Sequence, residues 1–587
     1  MHTSKRWNMP QVDAEAARRL ADRLNTSPLL AQVLLNRGLS DVESCQGFLR
    51  PSLKSLHEPA GLPNLQIAAG RIAQAIRDGR QIVIYGDYDV DGITATSILW
   101  HAITVLGGKV SYYIPHRIEE GYGLNAEAIA QICDQGAGLI VTVDCGITAR
   151  GPAQVAAERG VDLIITDHHE WHERADDNGV RVADLPVCHS IVHPRLGGSD
   201  YPNPYLCGAG VAFKVAWGIG QAMSNSAKVD DSFRAFLMEA TALAALGTIA
   251  DVVPLVGENR ILAYFGLGGL KQSKLHGLQA LIESAGLSGQ KLDSYHVGFL
   301  LAPRLNACGR MGHARLAVQM LTDADRAKSL EIAQYLETQN RQRQQIERKI
   351  LEEALGQIQS RGQDPQESRS IVLGSPNWHP GVIGIVASRL VDRFNRPAIM
   401  VAMTNGHGQG SGRSIAGFHL SRALEACHEY LEAYGGHEMA AGLKVQSSRF
   451  EAFREAFEEH AKMVLEPQML VAELAIECQM ELSQLNEGLV NDLKRLGPFG
   501  LGNRRPILCC RGVELARPAR RVGKTGDHLQ LLVRQGDAMI KGIAFGFGGL
   551  ADQLPAGRRV DLAMEPSINE YNGRCTVELQ VKDIQLS

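Results

Sequence analysis

Apolar residues in this chain fall into short runs separated by helix-spaced patterns. Between residues 70 and 166 the alternation is regular: helix over 72–77, strand over 82–85, helix over 94–106, strand over 110–114, helix over 126–133, strand over 139–143, helix over 153–159, strand over 163–166. Such alternation predicts a parallel sheet with helices on its faces. Residues 1–60 read as helical, with Ala-, Leu- and Arg-rich amphipathic pieces, and a mostly helical part follows residue 166.

The pattern over 323–359 is one long helix, apolar near both ends. Its middle, Glu337-Thr-Gln-Asn-Arg-Gln-Arg-Gln-Gln345, has no apolar face. A helix polar all round typically crosses solvent between domains, so a boundary is expected there. A second α/β unit follows, with strands over 371–373 and 398–402 and helices over 382–394 and 420–431. Beyond residue 470 the chain turns β-rich, with strands over 471–476, 529–533, 539–544, 560–563 and 576–581 and a hairpin turn at Asn572-Gly573. Five or so short strands with an inserted helix are compatible with an OB-like barrel, and periodicity alone does not choose it over other small barrels. The expected division is therefore an N-terminal helical segment (1–60), a first α/β domain (61–322), a connecting helix (323–368), a second α/β domain (369–466) and a β-rich, OB-like domain (467–587).

Length and composition agree with a multidomain protein. At 587 residues the chain exceeds what one core supports. Its 11 cysteines contain no C-x-x-C pair, which argues against a disulfide framework or a structural zinc site and for a reducing, cytoplasmic setting. No run of about 18 apolar residues free of charge predicts a membrane span. The formal net charge of −4 gives no global attraction for nucleic acid, but it leaves room for local basic patches.

The chemistry gathers at strand ends. Tyr85-Gly-Asp87-Tyr-Asp89-Val-Asp91-Gly92 places three carboxylates at alternate positions where a strand gives way to a helix, and such a cluster needs cations. Asp144 ends another apolar run, Asp167-His168-His169 ends a third, and Asp251 ends the helical stretch from Glu239. In an open parallel sheet, ligands collect outside the carboxyl ends of the strands, so these pieces should converge. A lone D-x-D is commonly a solvated turn or a helix N-cap; joint placement on three strand ends, with Gly92 and Gly146 permitting close approach, points to a site. Asp89, Asp91, Asp144, His168 and Asp251 make a hard, oxygen-rich ligand set that suits Mn²⁺ or Mg²⁺ better than zinc. Two ions bridged by Asp144 would serve phosphoryl displacement.

Four segments, Gly86-Asp-Tyr-Asp-Val-Asp-Gly92, Val143-Asp-Cys-Gly146, Thr166-Asp-His-His169 and Gly247-Thr-Ile-Ala-Asp-Val-Val-Pro254, resemble the motifs of the DHH phosphoesterase superfamily. Ala302-Pro-Arg-Leu-Asn-Ala-Cys-Gly-Arg310, Trp378-His-Pro-Gly-Val-Ile-Gly384, Gly410-Ser-Gly-Arg-Ser414, Gly435-Gly-His-Glu-Met-Ala-Ala-Gly442 and Pro498-Phe-Gly-Leu-Gly-Asn503 narrow the resemblance to its single-strand-specific DNA exonucleases. The resemblance implies a DHH domain, a DHHA1 domain and an OB-fold, with one strand admitted to a cleft between the first two. It also implies nucleotide removal from the 5′ end with two Mn²⁺ or Mg²⁺ ions, in DNA repair and recombination. Carried over by motif, Asp89, Asp91, Asp144, His168 and Asp251 are metal ligands, with Asp87 beside them. His169 binds the scissile phosphate. Ser411 and Arg413, with Arg304 or Arg310, form a 5′-phosphate pocket, and His437 faces the DNA backbone. A helicase and a single-strand-binding protein are the implied partners of a monomeric enzyme.

The Gly410-Ser-Gly-Arg stretch reads on its own as a glycine-rich turn offering amides, a hydroxyl and a guanidinium to an anion. Residues 504–524 hold seven basic side chains (Arg504, Arg505, Arg511, Arg517, Arg520, Arg521, Lys524) against Glu514 alone, a candidate groove for a phosphate backbone or a solvated face. Four positions depart from the resembled pattern: Cys145, His193, Cys308 and Arg504 stand where Asn, Asn, Ala and Pro are usual. Two other readings are a DHH phosphodiesterase for short oligonucleotides or cyclic dinucleotides, and a metal-free scaffold.

Overall fold

A computed structural model describes residues 5–116, 120–121, 123–176, 179–310, 312–360, 367–571 and 574–586. They form two compact units, neither continuous in sequence: one comprises residues 50–342 and 497–504, the other 1–49, 343–496 and 505–587.

The first unit is built on five parallel strands, β1 (Gln81–Gly86), β2 (Lys109–Tyr113), β3 (Leu139–Val143), β4 (Asp162–Thr166) and β5 (Ser190–Val192), in the order β2-β1-β3-β4-β5. Side chains alternate between two cores, as a two-residue period requires. Ile82, Ile84, Leu139, Val141 and Ile164 enter one; Val83, Tyr85, Ile140, Leu163 and Ile165 enter the other. Apolar residues on both faces make a buried sheet; β1 to β4 match the sequence expectation to within a residue or two, whereas β5 lies where a mostly helical part was expected. On the first face pack helices α1 (Val90–Val105) and α2 (Gly208–Ser224), with α3 (Asp231–Ala250) layered on those helices. By length and composition α3 could cross a membrane, yet 56% of its apolar window is buried and it packs against α1 and α2, the position of a core helix. Further on come α4 (Ala302–Arg310) and α5 (Arg326–Ser360).

Helix α5 is continuous for 35 residues, as expected, but its polar middle does not simply cross solvent. Within the first unit Glu337 is paired with Arg304 at 2.7 Å. Within the second, Arg343 is paired with Glu347 at 2.7 Å, and Arg389 also reaches Glu347. The polar face is there to satisfy buried charges.

In the second unit, β6 (Ile371–Ser375), β7 (Ala398–Thr404), β8 (His407–Arg413), β9 (Leu431–Gly436) and β10 (Ala440–Gln446) form one sheet in the order β9-β10-β8-β7-β6, with helix α6 (Ile383–Phe394) against it. Two expectations change here. Helix over 420–431 stops at Ala426, and Leu431 opens a strand. The Gly410–Arg413 stretch is not a turn: it lies in β8, hydrogen-bonded on both edges to β7 and β10, so its amides serve the ladder rather than an anion.

The tail closes on itself. β11 (Leu508–Leu515), β12 (His528–Gln535), β13 (Ala538–Ala544), β14 (Arg559–Tyr571) and β15 (Arg574–Leu586) pair in sequence around a ring, β11-β14-β15-β13-β12-β11, a five-stranded barrel of OB type. Strand β11 was hidden in the basic stretch. The hairpin turn expected at Asn572-Gly573 lies outside the described residues; Tyr571 pairs with Arg574 on either side of it. The N-terminal segment carries three helices, as expected, and also an unexpected strand, Arg6–Asn8, parallel to Glu473–Ala475.

Candidate metal centre

The sheet register decides where the acids fall. Gly86 pairs with Val143, Val143 with Thr166 and Thr166 with Val192. The next residues, Asp87, Asp144, Asp167 and His193, therefore leave the sheet at one level. Strand order reverses between β1 and β3, and that switch point is where an open parallel sheet receives ligands. Helix α3 ends at the same place and delivers Asp251 as its C-cap.

His168 Nε2 faces three carboxylates: Asp144 Oδ1 at 3.1 Å, Asp251 Oδ2 at 3.6 Å and Asp91 Oδ2 at 3.7 Å. Three sets bring one ligand atom per residue within 4.8 Å of each other: Asp87, Asp89 and Asp144; Asp91, His168 and Asp251; Asp144, His168 and His169. Asp144 and His168 each belong to two. All six sequence-predicted ligands are thus brought together.

Asp89 and Asp91 are held by backbone amides. Asp89 caps α1, its Oδ1 accepting from Asp91 N–H (2.9 Å) and Gly92 N–H (3.1 Å), so it is an N-cap and a member of the cluster at once. Asp91 accepts from Gly208 N–H and Ala209 N–H at 2.5 and 2.8 Å, at the start of α2. Asp144 leaves β3 at φ 62°, a costly left-handed conformation for a residue with a Cβ, and its N–H donates to Thr166 O at 3.0 Å. Gly208 leaves room for it: a Cβ there would stand 2.6 Å from Asp144 Cβ.

The electrostatics demand a counter-charge. Burial, then the charges of Asp91, Asp89, Asp87 and Asp251, pushes Asp144 well above the usual carboxylate range. Burial, then Asp91 and Asp89, raises Asp251 to about 9. Asp144 Oδ1 and His168 Nε2 are buried without a hydrogen-bond partner. Orphaned acceptors of this chemistry, oxygen-rich with one imidazole, fit a pair of Mn²⁺ or Mg²⁺ ions.

The adjacent histidines differ. Burial, then the charge of His169, lowers His168 to about 4, which leaves a neutral ring suited to ligation. Burial would lower His169 too, but the hydrogen bond and charge of Asp167 outweigh it and raise His169 to about 9, giving a cation suited to phosphate. Asp167 was not among the expected site residues. Its carboxylate takes His169 Nδ1–H at 2.8 Å, both histidine amides, and Ile147 N–H. His193 Nδ1 accepts from Arg195 N–H, so Nε2 carries the proton and donates to His169 O at 2.8 Å. Arg195 donates to His168 O. Cys145 and Cys308 are buried packing residues.

A cavity of about 300 Å³ beside the cluster is lined by Asp87, Tyr88, Asp89, Ala250, Asn306, Gly309 and Arg310. Arg310 thus borders the acids, whereas the Arg304 side chain is committed to Glu337 and Leu300 O and does not line that cavity. Asn306, also unexpected, accepts from Val90 N–H; its place on the outer face of α4 was the available signal. In the other unit, Arg413 donates to Ser411 Oγ (3.2 Å), with Gly384 in the first turn of α6 against both. His437 sits exposed on the β9–β10 hairpin at the same sheet end, where Arg413 pairs with Ala440. The seven basic residues of 504–524 are all exposed, although Arg521 pairs with Asp552 and Arg505 with Glu565.

Three family models match: "DHH family, N-terminal domain" over residues 81–248, "DHHA1 domain" over 368–463 and "RecJ OB domain" over 476–583. The single-stranded-DNA-specific exonuclease RecJ of Bacillus subtilis is 36% identical over 584 residues, 99% of this chain and 71% of that protein. Its Thermus thermophilus counterpart is 34% identical over 586 residues, covering 100% and 79%. The crystal structure of Thermus thermophilus RecJ in complex with Mn²⁺ superposes with a TM-score of 0.83 at 32% identity, covering 99% of this chain and 80% of that one. The Mg²⁺ complex gives 0.78 at 32% identity, covering 99% and 78%.

Proposed function

Because the chain belongs to the RecJ family of DHH phosphoesterases, we propose that it is a metal-dependent exonuclease removing nucleotides from the 5′ end of single-stranded DNA, in DNA repair and recombination. The observation that carries the reading is the convergence of six acidic and imidazole ligands at the β1/β3 switch point, with a cationic histidine beside them.

Asp89, Asp91, Asp144, His168 and Asp251, with Asp87 alongside, would hold the ions. When bound, Mn²⁺ or Mg²⁺ would supply Lewis acidity toward the phosphodiester and would lower the pKa of a water, so that hydroxide is available as the nucleophile. The protein's own residues do the rest. Amides of α2 fix Asp91, Asp167 fixes and charges His169, and protonated His169 holds a scissile phosphate oxygen through a charge-assisted hydrogen bond. Arg310 neutralises the same phosphate backbone. Ser411, Arg413 and His437 recognise the terminal 5′-phosphate, the first two at a helix start favourable to anions; Arg304 holds α5. The barrel's exposed Arg511, Arg517, Arg520 and Lys524 follow the strand backbone. On this reading the enzyme is a cytoplasmic monomer supplied with single strands by a helicase and a single-strand-binding protein.

The test uses metal-stripped protein resupplied with Mn²⁺ or Mg²⁺ and offered end-labelled single strands, duplexes and cyclic dinucleotides. Mononucleotide release from 5′ ends of single strands is expected. Asp144→Ala should lower it by about 10²–10³-fold or more, the scale lost with one preorganised charge-stabilising group. Cleavage confined to dinucleotides, or an unaffected Asp144→Ala variant, would falsify the assignment.

A further inference from the structure

Large apolar side chains stand exposed at the Asp251 border of the centre. The helical chain from Ser294 passes through a π segment, Val297–Leu301, directly into α4, and such segments frequently mark functional sites. Along its outer face, at spacings of four, four, three and four, come Tyr295, Phe299, Pro303, Asn306 and Arg310. The last two line the cavity that contains Asp87 and Asp89. The first two are 54% and 68% exposed, and their rings stack at 4.9 Å with planes 28° apart.

Two neighbouring segments extend the patch. Val252, directly after Asp251, is 61% exposed, and Leu501 is 47% exposed. They are tied to the aromatic pair: Leu255 N–H donates to Leu501 O at 2.7 Å, Ser294 Oγ–H donates to Phe499 O, and Ile249 lies against Gly298. Exposed apolar residues grouped in this way mark an interaction surface.

The occupant follows from what the face runs into. From Phe299 to Asn306 is seven residues, about 10 Å of helix, so the rings lie a few nucleotides from the acids. A face that passes from flat π surfaces through an amide to a guanidinium beside a phosphate-cleaving centre matches one chemistry: unpaired bases with their phosphates. Duplex bases, already stacked on each other, have no faces to offer.

We propose that Tyr295 and Phe299, flanked by Val252 and Leu501, form the platform on which unpaired bases near the scissile phosphate stack. The platform contributes to the preference for single strands. It rests on the exonuclease reading and adds to it a dependence on bases rather than on phosphates alone.

The test compares the full chain with the Tyr295→Ala/Phe299→Ala double variant, both loaded with Mn²⁺, on 5′-phosphorylated strands that carry normal bases or abasic residues at the three positions next to the end. Removing the bases should raise KM for the unsubstituted protein roughly 5- to 100-fold, the worth of one stacked base. The double variant should show that raised KM on normal strands, with nothing further lost on abasic ones, while taking up Mn²⁺ as the unsubstituted protein does. Tyr295→Phe/Phe299→Tyr should restore the low KM, and Tyr295→Leu/Phe299→Leu should not. If the alanine variant keeps the low KM and its base dependence, the platform is wrong and the exonuclease stands. If the Mn²⁺-loaded unsubstituted protein cleaves neither strand, both fall.

Discussion

Two neighbouring histidines take opposite charge states, and one carboxylate accounts for the difference. Asp167 receives His169 Nδ1–H at 2.8 Å and the amides of His168 and His169, and these bonds hold it below the usual carboxylate range despite burial. Among the described residues it belongs to none of the three candidate ligand groups, so its effect passes through His169, and it is a positioning residue. Asp167→Asn keeps an acceptor for the amides but removes the charge that holds the His169 proton. Activity on single strands should fall about 10–100-fold, as when an outer partner of a metal site is lost, with Mn²⁺ stoichiometry retained. Steady-state kinetics with metal analysis on the same sample checks both. Complete loss of Mn²⁺ would instead make Asp167 part of the ligand scaffold.

Among the elements, the segment 497–504 has the least expected place: it lies within the barrel region by sequence yet belongs to the first unit. Leu501 O takes the N–H of Leu255, and Asn259 Nδ2 donates to Pro254 O at 3.0 Å, so the turn after Asp251 is clamped from two sides. The clamp opposes real strain, since Val252 sits at φ 59°, unusual for a β-branched residue. A Cβ on Gly500 would stand 2.7 Å from Leu255 Cδ1. Gly500→Val should therefore destabilise the first unit by about 1–3 kcal/mol and weaken Mn²⁺ binding, measured by thermal unfolding and titration calorimetry. Unchanged Mn²⁺ affinity in a folded variant would show that the segment does not act on Asp251. Sequence could reveal the strands that carry the acids, because Ile82-Val-Ile84, Leu139–Val143 and Leu163-Ile-Ile-Thr166 are buried on both faces and read as unbroken apolar runs. It could not reveal β8, whose Gly408, Gly410 and Gly412 carry no side chain to signal a strand; pairing on both edges makes one of them. His193 and Arg195 were equally illegible, since their role is to hold the carbonyls of His169 and His168, contacts that exist only once β4 and β5 are paired.

Across the whole chain, the two units are interleaved, and the N-terminal segment that showed no chemistry has a structural role at the opposite end of the sequence. Arg6–Asn8 adds a parallel strand to Glu473–Ala475. Trp7 Nε1–H donates to Asp583 Oδ2 at 2.7 Å, and its ring joins a small core with Leu474, Ile476, Cys509 and Ala563. Arg37 pairs with Glu477 at 2.9 Å with both side chains mostly buried, and Asn36 caps the Glu477 carbonyl. Asp583 is itself fully buried and also accepts from Lys5 N–H at 3.4 Å, so removing the segment takes two donors from a buried carboxylate, at a cost of about 1–3 kcal/mol for each. Deleting residues 1–49 should lower the unfolding midpoint of the barrel-containing unit by at least about 5 °C, and Trp7→Ala should reproduce part of that fall. Mn²⁺ uptake, which depends on residues of the other unit, should persist in both. Calorimetry of the full chain with and without the segment, each titrated with Mn²⁺, separates the two effects: an unmoved barrel transition would mean that the pairing of Arg6–Asn8 and the Trp7 contact contribute little, and parallel loss of Mn²⁺ binding would mean that the units do not fold independently.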